Sequence, residues 1–177
     1  MLTTRGAALS FVLGLCVAAA GCRAPFGGIC MSQSCGAGLH LQVLEGGAPT
    51  LAAGELTFTL TLADDPSAQH QWSCLVDGAP ASLADCVYEA EIDRDPADFS
   101  VIVTVEGEGD DATLWIRALI GPDAAARWTG PEALEITVTR DDAPLTMTTL
   151  HPDYDVIFES EACGTCESAS QALDLAR

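Results

Sequence analysis

The sequence predicts an all-β protein: a single antiparallel β-sandwich of immunoglobulin-like architecture that follows a signal peptide and a short tether. Two observations predict this fold. From Leu39 onward, apolar and polar residues alternate with a period of two in most segments, which is the periodicity of half-buried strands. These segments recur at near-regular spacing with Gly, Pro and Asp between them, whereas an α/β fold needs long helices between its strands.

The alternation predicts about eight short strands. In chain order they are centred on residues 39–43, 56–62, 71–76, 99–105, 114–120, 134–138, 145–149 and 169–175. The clearest is the second, in which Leu and Phe alternate with Thr, so its Thr face is predicted to be solvated. The helix-like pieces, at residues 80–83 and 123–127, are short and are predicted to be loops or single turns.

Turn residues join two pairs of these strands into predicted hairpins. An acidic loop containing Gly107 separates the fourth strand from the fifth, and Asp141-Asp142 separates the sixth from the seventh. Gly and Asp favour such turns because they tolerate the left-handed backbone conformation.

The N-terminus has the order of a secretory signal. Arg5 precedes an apolar stretch that ends in small residues before Cys22, and this stretch is too short for a stable spanning helix. The small residues before Cys22 resemble the lipobox of bacterial lipoproteins, although Ala19 stands where a Leu is usual. The resemblance implies that Cys22 is lipidated, and plain cleavage after Gly21 is the alternative.

The chain is therefore predicted to have three parts: a lipoprotein signal peptide (1–21), the lipidated Cys with a tether (22–34) and the β-sandwich domain (35–177). Arg23 follows the lipidated residue, where many lipoproteins of the inner membrane carry Asp. This favours an exported protein that is lipid-anchored at the outer membrane, on its periplasmic or surface face. The membrane is then a partner through the N-terminal lipid.

The charge excludes several classes of function. The 177 residues include 26 Asp and Glu against 7 Lys and Arg, for a formal charge of −19, and the sequence contains no Lys and no Asn. A chain of this charge is not expected to bind nucleic acid, because it cannot neutralise a run of phosphates. Without Lys there is no P-loop lysine, Schiff-base lysine or Ser-Lys dyad, and without Asn there is no N-glycosylation acceptor.

Six cysteines remain after the signal peptide and Cys22 are set aside, which suggests up to three disulfides in an oxidising compartment. They are Cys30, Cys35, Cys74, Cys86, Cys163 and Cys166. Cys74 is predicted to pair with Cys86, because Asp77-Gly78 and Pro80 can fold the chain back between them. The other four either close locally or cross-link the two ends of the domain. Crossing requires the first and last strands to be parallel neighbours.

No catalytic constellation stands out. Cys163 and Cys166 have the C-x-x-C spacing of thiol oxidoreductases, but the neighbouring Glu residues would raise a thiol pKa, so a structural disulfide is expected. The spacing of the other cysteines does not complete a zinc site. His40, His70 and His151 belong to no ligand motif and are expected at the surface. No cofactor is predicted.

Acidic loops offer weak calcium candidates. Glu106, Glu108, Asp110 and Asp111 lie in one predicted loop between strands, and carboxylate oxygens are ligands that calcium prefers. Their spacing matches no EF-hand loop, and a solvated acidic surface explains them equally well. The exposed rings of Trp115 and Trp128 are candidates for an apolar surface patch.

Short motifs give a family resemblance. They are the lipobox, Cys30-Met-Ser-Gln-Ser-Cys35, Trp72-Ser-Cys74, Ile136-Thr-Val-Thr-Arg140, Pro152-Asp-Tyr154 and Cys163-Gly-Thr-Cys166. Together they resemble cysteine-rich lipoproteins of myxobacteria and related Gram-negative bacteria. The resemblance covers most of the chain after residue 30. It implies the fold, the envelope compartment and the disulfides, and it names neither an activity nor a catalytic residue.

The expected function is that of a non-enzymatic envelope lipoprotein with a binding or structural role and a protein or glycan partner. Two alternatives remain open. One is a calcium-dependent adhesion or carbohydrate-binding module of the same fold. The other is a thiol-disulfide redox protein that acts through Cys163 and Cys166.

Overall fold

Two β-sheets face each other across one apolar core, which confirms the predicted all-β sandwich. The computed structural model describes residues 22–23, 29–30, 36–77, 80–93, 97–107, 111–122, 126–160 and 164–175. All eight predicted strands are present.

The described residues form thirteen strands and one 3-10 helix. The strands are β1 (Cys22–Arg23), β2 (Ile29–Cys30), β3 (Gly38–Glu45), β4 (Gly54–Leu62), β5 (Asp65–Val76), β6 (Tyr88–Ile92), β7 (Asp98–Glu106), β8 (Thr113–Gly121), β9 (Arg127–Trp128), β10 (Leu134–Arg140), β11 (Ala143–Leu150), β12 (Asp155–Ser160) and β13 (Gly164–Leu175). The helix, Pro80–Cys86, lies between β5 and β6. The strands that the alternation missed are β1, β2, β6, β9 and β12: three have two residues each, and β6 and β12 are edge strands in which no described side chain is fully buried.

The smaller sheet has the order β11-β10-β4-β5, and every pairing in it is antiparallel. The larger sheet has the order β12-β13-β3-β8-β7-β6, with β9 added beside the start of β13. Its pairings are antiparallel except that β13 runs parallel to both β3 and β9. Separately, β1 pairs with β2, which sets Cys22 opposite Cys30.

The first and last strands of the sandwich are therefore parallel neighbours. Their ladder runs without a break from Ser168 opposite Gly38 to Leu175 opposite Glu45. This is the arrangement that disulfides between the two ends of the domain require. It brings the start of β3 and the start of β13 to the same end of the sandwich.

The core lies between the sheets, and the alternation places its side chains correctly. From the smaller sheet come Leu56, Phe58 and Leu60, and from the larger sheet Val101, Val103 and Ile116, all fully buried. The Thr residues of β4 are partly exposed on the opposite face, as predicted. Burial of such side chains is the main favourable term in folding.

An aromatic stack fills the end of the core near β6. The ring of Trp72 lies between the ring of Phe58, at a centroid distance of 5.0 Å, and the ring of Tyr88, at 4.9 Å. Both pairs are within about 11° of parallel. Because Phe58 and Trp72 come from the smaller sheet and Tyr88 from β6 of the larger one, the stack joins the two sheets.

The β10–β11 hairpin turns at Asp141-Asp142, as predicted. Both residues have positive φ, 48° and 65°, which is the backbone of a type I′ turn. The turn is tied to β4, because Asp141 Oδ1 accepts a hydrogen bond from the Glu55 N–H at 2.9 Å and the Asp141 N–H donates to the Glu55 carbonyl at 2.9 Å. The turn residues thus fix how β10 pairs with β11, and the hydrogen bonds to Glu55 fix how this hairpin pairs with β4.

A bidentate ion pair joins the two sheets at one end of the sandwich. Arg140 at the end of β10 donates to both carboxylate oxygens of Glu45 at the end of β3, at 2.9 and 2.7 Å. Each side chain is 15 % exposed. The hydrogen bond to Glu45 is the main cause that raises the pKa of Arg140, and this fork geometry is specific to arginine.

We expect Arg140→Gln to destabilise the fold by about 1–3 kcal/mol, because it leaves the mostly buried carboxylate of Glu45 without its charged partner. Glu135→Gln is the matched control, since Glu135 is exposed on the same strand and such changes stay within about 0.5 kcal/mol. Urea unfolding of the two variants measures the difference. Equal midpoints would show that the ion pair does not hold the sheets together.

Candidate functional site

The predicted pair Cys74–Cys86 forms a disulfide, with its Cα atoms 4.9 Å apart. Cys74 lies near the end of β5, and Cys86 is the last residue of the 3-10 helix. Both residues are buried, and the helix also contacts β7 and β8 of the larger sheet. The disulfide therefore fixes the chain where it passes from one sheet to the other.

Cys166 also forms a disulfide. It lies near the start of β13, and its side chain is buried in a small apolar cluster with Ala37, Leu119 and Trp128. We call this group the outer cluster, because it is separate from the core. Cys35 and Cys163 lie outside the described residues, so the choice between local and crossing closure stays a prediction.

The calcium site predicted in the β7–β8 loop stays a prediction, because only two of its four candidate residues are described. Glu106 ends β7 and Asp111 precedes β8, and both are exposed. Glu108 and Asp110 lie outside the described residues. A different acidic trio, Glu91, Asp93 and Asp98, has carboxylate oxygens that all lie within 4.8 Å of one another. No sequence motif predicts this trio, because pairing of β6 with β7 brings its members together.

A cleft of about 370 Å³ lies on the outer face of the larger sheet, next to this trio. Its lining consists of Glu89, Ala90, Glu91, Asp98, Ser100, Ile102, Leu119, Gly121, Pro122 and Trp128. Apolar side chains of the outer face form one part and carboxylates the other. Such a surface suits a ligand with both an apolar and a cationic or hydroxyl-bearing part. We call it the outer cleft.

Trp128 can reach the outer cleft because residue 121 is glycine. A Cβ at Gly121 would lie 2.5 Å from the Trp128 ring, which is too close for any side chain. The backbone of Thr129 also pairs with Ile120, with N···O distances of 2.7 and 3.0 Å. These contacts hold β9 across the end of β8. The sequence analysis singled out Trp128 for its apolar ring but not the glycine beneath it.

A second cleft, of about 280 Å³, lies on the other side of β9 at the end of the sandwich. Leu62, Ala97 and Ile120 contribute apolar surface to it, and Asp64, Arg127 and Glu132 contribute charge. The two clefts share no lining residue, but both adjoin β9. This two-residue strand therefore borders two of the concave surfaces among the described residues.

His70 is buried, so the expectation that all three histidines lie at the surface is wrong for this residue. It is 3 % exposed, with Nε2 at 3.1 Å from the Phe99 carbonyl and Nδ1 at 3.3 Å from the Tyr88 hydroxyl. With its proton on Nε2, the ring donates to Phe99 and accepts from Tyr88. Desolvation by burial lowers the pKa of His70, against the opposing effect of the Phe99 hydrogen bond. The ring is thus a neutral core residue.

Comparison with protein-family models, curated proteins and solved structures finds no match to this chain. None of the helical residues that the structure describes form a segment long and apolar enough to cross a membrane. The resemblance to cysteine-rich lipoproteins therefore stays a prediction.

Removal of the Cys74–Cys86 bridge by Cys74→Ala with Cys86→Ala should destabilise the fold by about 3 kcal/mol, because the bridge restricts the unfolded chain. Denaturant unfolding measures the loss. Non-reducing peptide mapping should recover the two residues in one linked peptide pair, and a map that joins Cys74 to any other cysteine would contradict the assignment. The same map identifies the partner of Cys166.

The lowered pKa of His70 makes stability depend on pH. As the pH falls below 6.5, the ordinary histidine value, the unfolded chain takes up a proton that the folded chain does not. The free energy of unfolding therefore decreases as the pH falls from 6.5 to the lower pKa that His70 has in the folded state. We expect a contribution of at most about 1.4 kcal/mol per pH unit. His70→Gln should flatten this dependence in urea unfolding, whereas His151→Gln, at an exposed position, should retain it.

Proposed function

We propose that this chain is an exported, lipid-anchored β-sandwich protein of a bacterial cell envelope, which acts by binding or as a structural component rather than by catalysis. The observation that carries the proposal is the buried Cys74–Cys86 disulfide in a chain whose first residues have the order of an export signal. Disulfides persist in oxidising compartments and are rare in the cytosol. The disulfide and the export signal both indicate an oxidising compartment outside the cytosol.

Anchoring by lipid fits the rest of the chain. The formal charge of −19 repels anionic headgroups, so the folded body has no electrostatic means of holding a membrane. An acylated Cys22 supplies an anchor that does not depend on charge. The sandwich begins at Gly38, only 16 residues after Cys22, which keeps the body close to the membrane.

Two of the described histidines and Cys166 are engaged in structural contacts. His70 is engaged by Tyr88 and by the Phe99 carbonyl, and His40 donates from Nε2 to the Gly36 carbonyl at 2.9 Å. Cys166 is bonded and buried in the outer cluster. A redox thiol has to be exposed and to have a lowered pKa. These features favour a binding or structural role over thiol-disulfide exchange.

The outer cleft is the binding surface that we favour. It joins the apolar ring of Trp128 to the carboxylates of Glu91 and Asp98. Aromatic rings with nearby hydrogen-bond acceptors suit hydroxyl-rich glycans and cationic peptide side chains. A calcium-dependent adhesion or carbohydrate-binding module of the same fold is the second candidate, since two members of the acidic trio line this cleft.

Cys22→Ser should release the protein from the membrane fraction as a soluble, folded product, because the substitution removes the acylated thiol. Fractionation of cells that express the two forms measures the change, and mass spectrometry of the N-terminal peptide reports the acyl chains. Maturation that is insensitive to globomycin, together with unchanged membrane binding, would contradict lipid anchoring.

Chelation separates the two candidate binding modes. If the outer cleft binds its ligand without calcium, we expect the same melting temperature in calcium and in EDTA, because no ion then stabilises the folded state. Calorimetry on the intact protein measures the shift. A melting temperature that is higher in calcium than in EDTA would instead establish the calcium-dependent module, provided that Asp93→Asn abolishes the difference. Asp142→Asn, at an exposed turn, is the control.

A further inference from the structure

Three consecutive apolar residues of β12 are exposed. Val156 is 57 % exposed, Ile157 is 50 % exposed and Phe158 is 47 % exposed. In an ordinary edge strand every second side chain is buried against the neighbouring layer. None of these three is, so the strand presents apolar surface instead of covering the core. We call these residues the β12 patch.

The β12 patch lies where a sheet ends. Among the described residues, β12 pairs with β13 alone, and its register shifts between Val156 and Phe158, which leaves Ile157 as a bulge residue. A bulge interrupts the alternation of side chains and disfavours the addition of a further strand. The patch is therefore better suited to a fluid apolar surface than to edge-to-edge pairing with another sheet.

The N-terminal segment enters the sandwich beside this patch. The Ile157 Cδ1 atom lies 3.7 Å from the position that a Cβ on Gly36 would take. Two side chains hold the chain here: His40 Nε2 donates to the Gly36 carbonyl at 2.9 Å, and Arg117 Nε donates to the Ala37 carbonyl at 2.7 Å. The entry point and the patch thus have fixed relative positions.

The anchor cannot lie far from the β12 patch. Pairing of β1 with β2 sets Cys22 opposite Cys30, so the six residues from Cys30 to Gly36 set the distance between the lipid and the body. Six extended residues span about 20 Å at most. This is less than the width of a small domain, so a lipid inserted at Cys22 holds this end of the sandwich at the membrane surface.

The charges around the β12 patch determine which lipids it fits. Asp153, Asp155 and Glu159 are exposed beside it, and they repel anionic headgroups. Zwitterionic phospholipid offers an apolar boundary without this repulsion.

From this placement we infer that the β12 patch docks on a zwitterionic phospholipid surface next to the lipidated N-terminus and orients the sandwich on the membrane. The inference rests on the proposed lipid anchor. Docking at this end leaves the β10–β11 turn away from the lipid, because Arg140 beside that turn pairs with Glu45, at the other end of β3 from Gly38.

Hydrogen exchange on the full-length lipidated protein tests the docking. We compare the protein in phosphatidylcholine vesicles with Cys22→Ser in the same vesicle suspension. Amides of β12 should exchange several-fold more slowly in the anchored protein, because the lipid covers the edge of the sheet. Amides beside the Asp141-Asp142 turn, at the opposite end of the sandwich, should exchange at the same rate in both. Met147 of β11, which is 82 % exposed, supplies an exposed apolar residue for a control variant.

A double substitution tests whether the apolar side chains of the β12 patch cause this protection. Ile157→Ser with Phe158→Ser should abolish the protection of β12 while acylation and vesicle binding persist, and Met147→Ser should change neither. Because the patch is already exposed, we expect both variants to fold, and circular dichroism checks this.

Two results would overturn the docking. One is equal exchange of β12 in the anchored and soluble proteins. The other is a dimer of Cys22→Ser in sedimentation with β12 already protected, which would make the β12 patch an interface between two copies. A protein without acyl chains on Cys22 would instead overturn the proposed anchor, and mass spectrometry distinguishes that outcome from both.

Discussion

The parallel pairing of the last strand with the first is the constraint on which the rest of the structure depends. The ladder from Ser168 opposite Gly38 to Leu175 opposite Glu45 sets β13 between β3 and β12. It therefore makes β12 an edge strand and brings Cys166 to the entry of the chain into the sandwich. Closing so long a loop is entropically costly, and the buried side chains of both strands offset that cost.

The two sheets are held together by contacts of different kinds. The aromatic stack around Trp72 supplies buried area, and the directional hydrogen bonds of the Arg140–Glu45 ion pair orient β10 relative to β3. The Cys74–Cys86 bridge restricts the unfolded chain. These contacts are distributed along the chain from β3 to β10. A strongly acidic protein gains from such fixed contacts, because mutual repulsion of its carboxylates opposes the compact state.

The outer face of the larger sheet carries the features that bear on function. The outer cleft and the outer cluster share Leu119 and Trp128, and Phe158 of the β12 patch pairs with Cys166 of that cluster. Residues opposite one another on paired strands share a face. The proposed lipid anchor, the proposed membrane contact and the outer cleft would then lie along one surface, with the Thr-rich face of the smaller sheet turned away from it.

The sequence by itself determined the fold class, the inward faces of β4, β7, β8 and β10, and the pairing of Cys74 with Cys86, because periodicity and turn chemistry are local. Beyond the two predicted hairpins, β7–β8 and β10–β11, tertiary structure decided which strands are neighbours. His70 became a core residue because Tyr88 and the Phe99 carbonyl satisfy its ring, and the acidic trio formed because β6 pairs with β7. The apolar run Val156-Ile157-Phe158 of β12, taken by itself, is the pattern of a buried strand. Only the order of the sheet leaves it exposed at an edge, since burial depends on which segment arrives beside it.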